Sequence, residues 1–254
     1  MMVIDLAGKR TLITGGSRGI GRATAILFGQ AGSDVAINYV SNTAAAEEVR
    51  AEVEDLGRKC LLLKADISKE KKANEMVEAV IKELGGVDVL VNNAGVWTYL
   101  EMGAMVSEVL KETMEINLDS VFYVTNAVVP HMKKKMQGWI INVASTAAIR
   151  GEAFHSHYAA TKGAVNALTK SWAVELAPYN IRVNAVAPGW VDTDMCAEVF
   201  SDPGFKESVR QSIPLKRIPP PEDIAGPILF LASDLSRHIT GAVINVNGGA
   251  VLSG

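Results

Sequence analysis

Short, continuous apolar runs alternate with longer stretches in which apolar residues recur three and four positions apart. The alternation repeats about seven times along the chain. The short runs predict strands at residues 10–14, 34–38, 60–64, 88–92, 139–144, 181–187 and 242–246. The longer stretches predict helices at 19–31, 42–56, 69–84, 107 to about 134, 155–177 and 221 to about 232. Ser68 and Ser107 are expected to cap the helices that follow them. Pro221-Glu222-Asp223 places a proline and two acids in a first helical turn. The strands read as unbroken apolar runs, such as Val89-Leu90-Val91 and Ile140-Ile141. Strands buried on both faces of a parallel sheet read this way. Strand and helix in turn imply a doubly wound α/β fold, a parallel seven-stranded sheet with helices on both faces. Ligands in such sheets bind beyond the carboxyl ends of the strands, where the strand order reverses.

Composition narrows the class. The chain has 254 residues, 48% of them hydrophobic, with a formal net charge of −3. One domain over residues 1–254 is expected. The charge argues against a general nucleic-acid binder. No apolar run reaches the roughly 20 residues that span a bilayer. Met1-Met2-Val3-Ile4-Asp5-Leu6 lacks a basic region followed by an apolar core, so no signal peptide is expected. Cys60 and Cys196 form no close-spaced motif, which fits a reduced, cytoplasmic setting. No spaced set of metal ligands is present.

Candidate chemistry falls just after the strands. Thr14-Gly15-Gly16-Ser17-Arg18-Gly19-Ile20-Gly21 follows the first strand and opens a helix. Glycines there permit a tight turn and close approach to a pyrophosphate, which the helix N-terminus would bind. The spacing is G-x-x-x-G-x-G rather than the commoner G-x-G-x-x-G. The second strand ends at Asn38-Tyr39, and no acid follows until Glu47. Where a carboxylate would bind the adenosine ribose and repel a 2′-phosphate, none stands. Arg18 is the nearby cation to pair with such a phosphate. The expected cofactor is therefore NADP(H) in preference to NAD(H). Asp66-Ile67 after the third strand is a candidate for the adenine, through the carboxylate and the backbone, or else a plain turn before a helix. Asn92-Asn93-Ala94-Gly95 after the fourth reads either as a polar turn or as a loop tying neighbouring strands.

The sharpest catalytic stretch is Tyr158-Ala159-Ala160-Thr161-Lys162, with Ser145 upstream. On a helix, Tyr158 and Lys162 project side by side. A phenol ordinarily loses its proton near pH ~10. A neighbouring ammonium is expected to lower that value and make Tyr158 an acid/base. A Tyr and a Lys four apart are, in isolation, more often a solvated helix face. Here they stand in order with Thr14-Gly15, Gly19, Gly21, Asn92-Asn93-Ala94-Gly95, Asn117, Ser145, Pro188-Gly189 and Thr193. Over essentially its whole length the chain resembles the short-chain dehydrogenases/reductases, which have the Rossmann fold.

The resemblance implies roles. Tyr158 is the acid in carbonyl reduction and the base in alcohol oxidation. Lys162 lowers its pKa and holds the nicotinamide ribose. Ser145 orients the substrate oxygen, and Asn117 holds a water in a proton relay. Asn93, Ala94, Gly95, Pro188, Gly189, Val191 and Thr193 meet the cofactor. Residues 190–220, with Met195, Phe200, Phe205, Ile213 and Leu215, form a substrate lid. Trp97, Tyr99, Phe154, His155, His157 and Trp190 are further candidates for the pocket. Within the family the chain is most like reductases of 3-oxoacyl thioesters carried on acyl carrier protein. His131-Met132-Lys133-Lys134-Lys135 reads as a basic cluster at the active-site edge for that acidic partner, or simply as cations at a helix C-terminus. No arginine follows the catalytic helix, where Pro178-Tyr179-Asn180 stands. The alternatives are a dehydrogenase of a sugar or small secondary alcohol, and a non-catalytic NADP(H) sensor. The apolar run 159–177 reads as a helix buried on two faces, implying with the resemblance a homotetramer.

Overall fold

A computed structural model describes residues 4–252. Met1, Met2 and Val3, part of the stretch read for a signal peptide, and Ser253 and Gly254 lie outside the described residues. In chain order the elements are β1 (Arg10–Ile13), α1 (Gly19–Gln30), β2 (Asp34–Tyr39), α2 (Thr43–Asp55), β3 (Cys60–Lys64), α3 (Glu70–Leu84) and β4 (Val89–Asn92). Next come α4 (Ser107–Met114), a π-helical turn (Glu115–Asp119), α5 (Ser120–Lys135) and β5 (Gly138–Val143). Then follow α6 (Ala147–Arg150), α7 (Ser156–Leu176), β6 (Ile181–Pro188), α8 (Ala197–Phe200), α9 (Pro203–Ser212), α10 (Glu222–Leu231) and β7 (Val243–Val246). All seven strands pair in parallel in the order β3-β2-β1-β4-β5-β6-β7. The order reverses between β1 and β4, and the glycine loop leaves the sheet there.

Successive strand residues face opposite sides, and each side has its own core. Ile13, Ile37, Val91 and Ile141 pack with Phe28 of α1, Val49 of α2 and Ile228 of α10. Leu12, Leu90, Ile140 and Val183 pack with Val77 of α3, Val128 of α5 and Ala173 of α7. Continuous apolar strands follow from this two-sided burial.

Three local expectations are corrected. Lys69, not Ser68, precedes α3, and neither side chain caps it. The Ser68 hydroxyl donates instead to Asp66 Oδ1 at 2.7 Å. Ser107 is the first residue of α4 rather than its cap. The single helix expected from 107 to 134 is interrupted by the π turn, whose Asn117 is fully buried.

Of the two readings of the basic cluster, cations at a helix C-terminus is the one the structure has, and the placement at the active-site edge is corrected. A crossover helix runs antiparallel to its strands, so the end of α5 lies at the start of β4, at the sheet edge opposite the glycine loop. Lys135 ion-pairs with Asp88 there, and Arg10 Nε joins the same carboxylate at 2.7 Å. Lys133 sits 4.5 Å above the Tyr179 ring. The 131–135 run therefore does not border the active site. On α7 one stripe faces the chain's own core. On the outer surface Val174 is 78% exposed, and Phe122 of α5 packs edge-on to Trp172.

Asp88 is the polar clamp of that opposite edge. Burial alone would push its carboxyl up, but hydrogen bonds from Arg10 and Lys135 outweigh it and hold the group below the ordinary carboxylate value. Its stabilisation is thus present above about pH 4 and lost as pH falls through the lowered value. Asp88→Asn should cost about 2 kcal/mol at neutral pH, with the gap to wild type closing in acid. Urea unfolding midpoints between pH 3 and 7 check this.

Candidate active site

At the carboxyl ends of the strands a cavity of ≈ 590 Å³ runs from the glycine loop to Ser145 and Tyr158. The glycine loop borders it because of its backbone. Gly15 and Gly19 have φ of +64° and +52°, the left-handed region in which a side chain is strained. A Cβ at Gly21 would lie 2.2 Å from the Gly15 carbonyl oxygen, so Gly21 sets the close packing of helix on loop. Arg18 precedes α1 in extended conformation, and no side chain caps the helix. Its first-turn N–H groups are left for an anion, which fits a dinucleotide pyrophosphate.

Asn93 builds the loop from beneath. Its Nδ2 donates to the carbonyls of Thr14 and Gly15 at 2.9 and 3.0 Å. The Thr14 hydroxyl oxygen accepts from the backbone N–H of Asn93 and Ala94. The reading as a loop tying neighbouring strands describes this side chain, though Asn93, Ala94 and Gly95 all border the cavity. Asn38 does likewise, donating to Leu63 and Ala65 carbonyls across to β3.

Seventeen of the candidate residues share this one cavity wall: Gly15, Ser17, Arg18, Gly19, Ile20, Asn38, Tyr39, Asp66, Asn93, Ala94, Gly95, Tyr158, Lys162, Pro188, Gly189, Val191 and Thr193, with Ser145 beside them. The Ile67 side chain packs in the core with Ala73 and Met76, which leaves only its backbone to meet a ligand, as the expectation requires of it. Gly21 and Asn117 stand behind the wall. Sequence reasoning passed over Val40, Ser41 and Asn42 as binding residues, although they form the cavity's end at the start of α2. The signal was present: the Asn42 side chain accepts from Ala45 N and caps α2. Lys69 and Glu115, paired at 2.7 Å, close the wall nearby.

The catalytic candidates meet as the helix geometry requires. Tyr158 and Lys162 lie on α7, both nearly buried, with Lys162 Nζ 5.8 Å from the Tyr158 ring centre. Lys162 Nζ donates to the Val143 carbonyl at 2.8 Å. Ser145 follows β5, takes the Ala147 N–H on its oxygen and shares the cavity wall with Tyr158. The expected fall in the Tyr158 pKa is reversed. Burial pushes the phenol up to about 12, against a smaller lowering pull from the neighbouring Ser145 hydroxyl. Burial equally pushes Lys162 down to about 8. Both charged forms lose hydration, and the lysine is spent on a carbonyl rather than on the phenol. Asn117 accepts from Val96 N at 2.8 Å and donates to Val96 O at 2.9 Å, pinning the chain beyond Gly95.

Trp97, Tyr99, Phe154, His155 and Trp190 do not line this cavity; they stack on one another beside it. His157 turns away from it to Thr98 Oγ1, 2.8 Å from its Nε2. Cys196 does line it, with its thiol pushed up by burial, so it is no activated nucleophile. Among the described residues no group of His, Cys, Asp or Glu is arranged to hold a metal. No helix among them is long and apolar enough to cross a membrane.

The chain as a whole has counterparts among known proteins. A family model described as enoyl-(acyl carrier protein) reductase matches residues 15–251. The 3-oxoacyl-(acyl-carrier-protein) reductase of Thermotoga maritima is 42% identical over 247 residues, covering 97% of this chain and 99% of the relative. The L-rhamnose 1-dehydrogenase (NAD(P)(+)) of a Sphingomonas strain is 38% identical over 245 residues, covering 96% of each. A solved short-chain type dehydrogenase/reductase from Mycobacterium marinum matches with a TM-score of 0.91 at 36% identity, over 98% of both chains. The chain belongs to the short-chain dehydrogenase/reductase family of NAD(P)(H)-linked oxidoreductases.

If Tyr158 carries the proton, Tyr158→Phe should keep cofactor affinity and lose roughly 10²–10⁴ in kcat. Cofactor titration by fluorescence beside steady-state rates measures both. Unchanged turnover would remove Tyr158 from the chemistry.

Proposed function

We propose that the protein is an NADP(H)-dependent oxidoreductase that interconverts a carbonyl and a secondary alcohol, with Ser145, Tyr158, Lys162 and Asn117 as its catalytic set. The observation that carries this reading is that Ser145, Tyr158 and Lys162 share one cavity wall, with Lys162 Nζ 5.8 Å from the Tyr158 ring centre, and that the wall leads back to the glycine cradle. When bound, the cofactor supplies or takes the hydride. Ser145 orients the substrate oxygen, and Tyr158 gives that oxygen a proton in reduction or takes one in oxidation. Lys162 holds the nicotinamide ribose, and its ammonium, once drawn from the Val143 carbonyl towards the phenol, would favour the phenolate. Thr193 and Val191 border the nicotinamide end. The preference for NADP(H) rests on Arg18 before α1 and Ser41 and Asn42 before α2, which border the same cavity, with no acid between Tyr39 and Glu47.

For the substrate, the first reading is reduction of a 3-oxoacyl thioester, in line with the Thermotoga relative's name. The second is oxidation of a sugar, in line with the rhamnose dehydrogenase. One observation favours the second. The basic cluster that could have met an acyl carrier protein stands in the last turn of α5, at the end of the sheet away from the cavity, and among the described residues Lys162 is the one cation beside Ser145 and Tyr158 on the cavity wall. Residues 190–220 serve as the lid in both. The open surface of α5 and α7 at Phe122 and Val174 supports a homotetramer, and a cytoplasmic setting goes with this reading.

The deciding assay follows nicotinamide absorbance with acetoacetyl thioesters and simple ketones in one direction and L-rhamnose in the other, each with both cofactors. Thioester reduction with NADPH supports the first reading, and sugar oxidation with silent thioesters supports the second. No turnover with any carbonyl or alcohol would favour a cofactor sensor instead. Arg18→Ala should weaken NADPH binding at least about tenfold, the loss of one charge-assisted contact, and leave NADH binding nearly unchanged. Equal loss for both would refute the phosphate contact.

A further inference from the structure

The chain holds 6 Phe, 5 Tyr and 4 Trp, and six of these fifteen meet in one patch beside the catalytic end of the cavity. The patch joins three segments distant in sequence. Trp97 and Tyr99 come from the stretch after β4, Phe154 and His155 from the turn before α7, and Trp190, Phe200 and Phe205 from the lid. Trp97 lies flat on His155, with ring centres 4.1 Å apart and planes 2° apart. Its other neighbour is Trp190, edge-on at 5.7 Å. Trp190 in turn touches Phe200 and Phe205 at 5.6 and 5.8 Å. The backbone is bent to serve this array. Phe154 has a φ of +63°, unusual for a bulky side chain, and is held by the Leu100 N–H on its carbonyl at 2.8 Å and by stacking on Tyr99.

The rings therefore form a continuous bridge from the lid to the first turn of the helix that carries Tyr158. The lid's own contributions to the cavity wall are Val191, Thr193, Asp194, Met195 and Cys196. We propose that Trp97 and Trp190 are positioning residues: their contact latches the lid over the Ser145–Tyr158 pair and sets how tightly substrate is held. The proposal rests on the reading of that pair as the reacting site. Trp97 reaches no cavity atom itself, so it acts through Trp190 and the lid. Loosening the latch raises KM and leaves the proton-transfer geometry, hence kcat, largely in place.

The test compares wild type, Trp97→Ala and Trp97→Phe in the intact chain. Trypsin is the first probe, since Lys206 and Arg210 stand on α9 within the lid. Fragments are located by mass spectrometry. Trp97→Ala should speed cleavage at those two sites at least tenfold, with cleavage outside the lid unchanged, and Trp97→Phe should restore most of the protection. Wild-type protection in Trp97→Ala overturns the latch. Acceleration spread evenly over the chain also overturns it, because that is general loosening. With whichever substrate turns over, KM should rise at least tenfold in Trp97→Ala and kcat should stay within threefold. A fall in kcat at constant KM would overturn the positioning role. The protease result needs no substrate, so it separates failure of the latch from failure of the proposed activity.

Discussion

The site hangs on one junction, the knot between Thr14 and Asn93 where the strand order reverses. A loop that turns sharply off β1 leaves its carbonyls without strand partners, and buried unpartnered carbonyls are costly. One amide from the end of β4 takes both carbonyls, and the Thr14 hydroxyl takes two N–H groups in return. With the loop so fixed, α1 starts uncapped towards the cavity. The same junction sets Gly95, and through it Val96, whose backbone is held by Asn117.

Burial does opposite things to the two halves of the acid/base pair. It raises the phenol and lowers the ammonium, so the phenolate–ammonium state is disfavoured twice over in the folded chain. A helical i, i+4 spacing supplies proximity; it does not supply hydration or a choice of hydrogen-bond partner. The Val143 carbonyl wins Lys162 because a buried ammonium must have an acceptor. Proximity was readable from Tyr158 and Lys162 in sequence, while the direction of their shifts depended on what surrounds them.

The same division runs through the rest of the molecule. Apolar strand runs and strand-end glycines made the sheet, its two-sided core and most of the cavity wall legible, because each signal is local. The lysine run at 133–135 declared its charge but not which rim of the sheet it would reach; that follows from the antiparallel course of a crossover helix, which the alternating pattern already implied. Asp66 and Ile67 part just beyond β3, the carboxylate to the groove and the apolar side chain to the core, as their chemistry alone suggests. The aromatic bridge was invisible for a different reason. Its rings lie far apart in sequence, and no single segment carries the pattern.

The π turn at 115–119 has a consequence for how this chain tolerates change. A turn of that kind holds one residue more than an α-helix needs, and each residue rotates a helix by about 100°. Helices α4 and α5 therefore run on as one rod in outline but are out of phase in sequence. The face α4 shows to its neighbours and the face α5 presses on β4 and β5 are indexed separately. Removing a single residue there would restore α-helical hydrogen bonding and leave both helices on the faces they pack with, but it would take away the inward bulge that carries Asn117. The extra residue acts as a vernier: it lets Asn117 point inward without asking either helix to give up its own register.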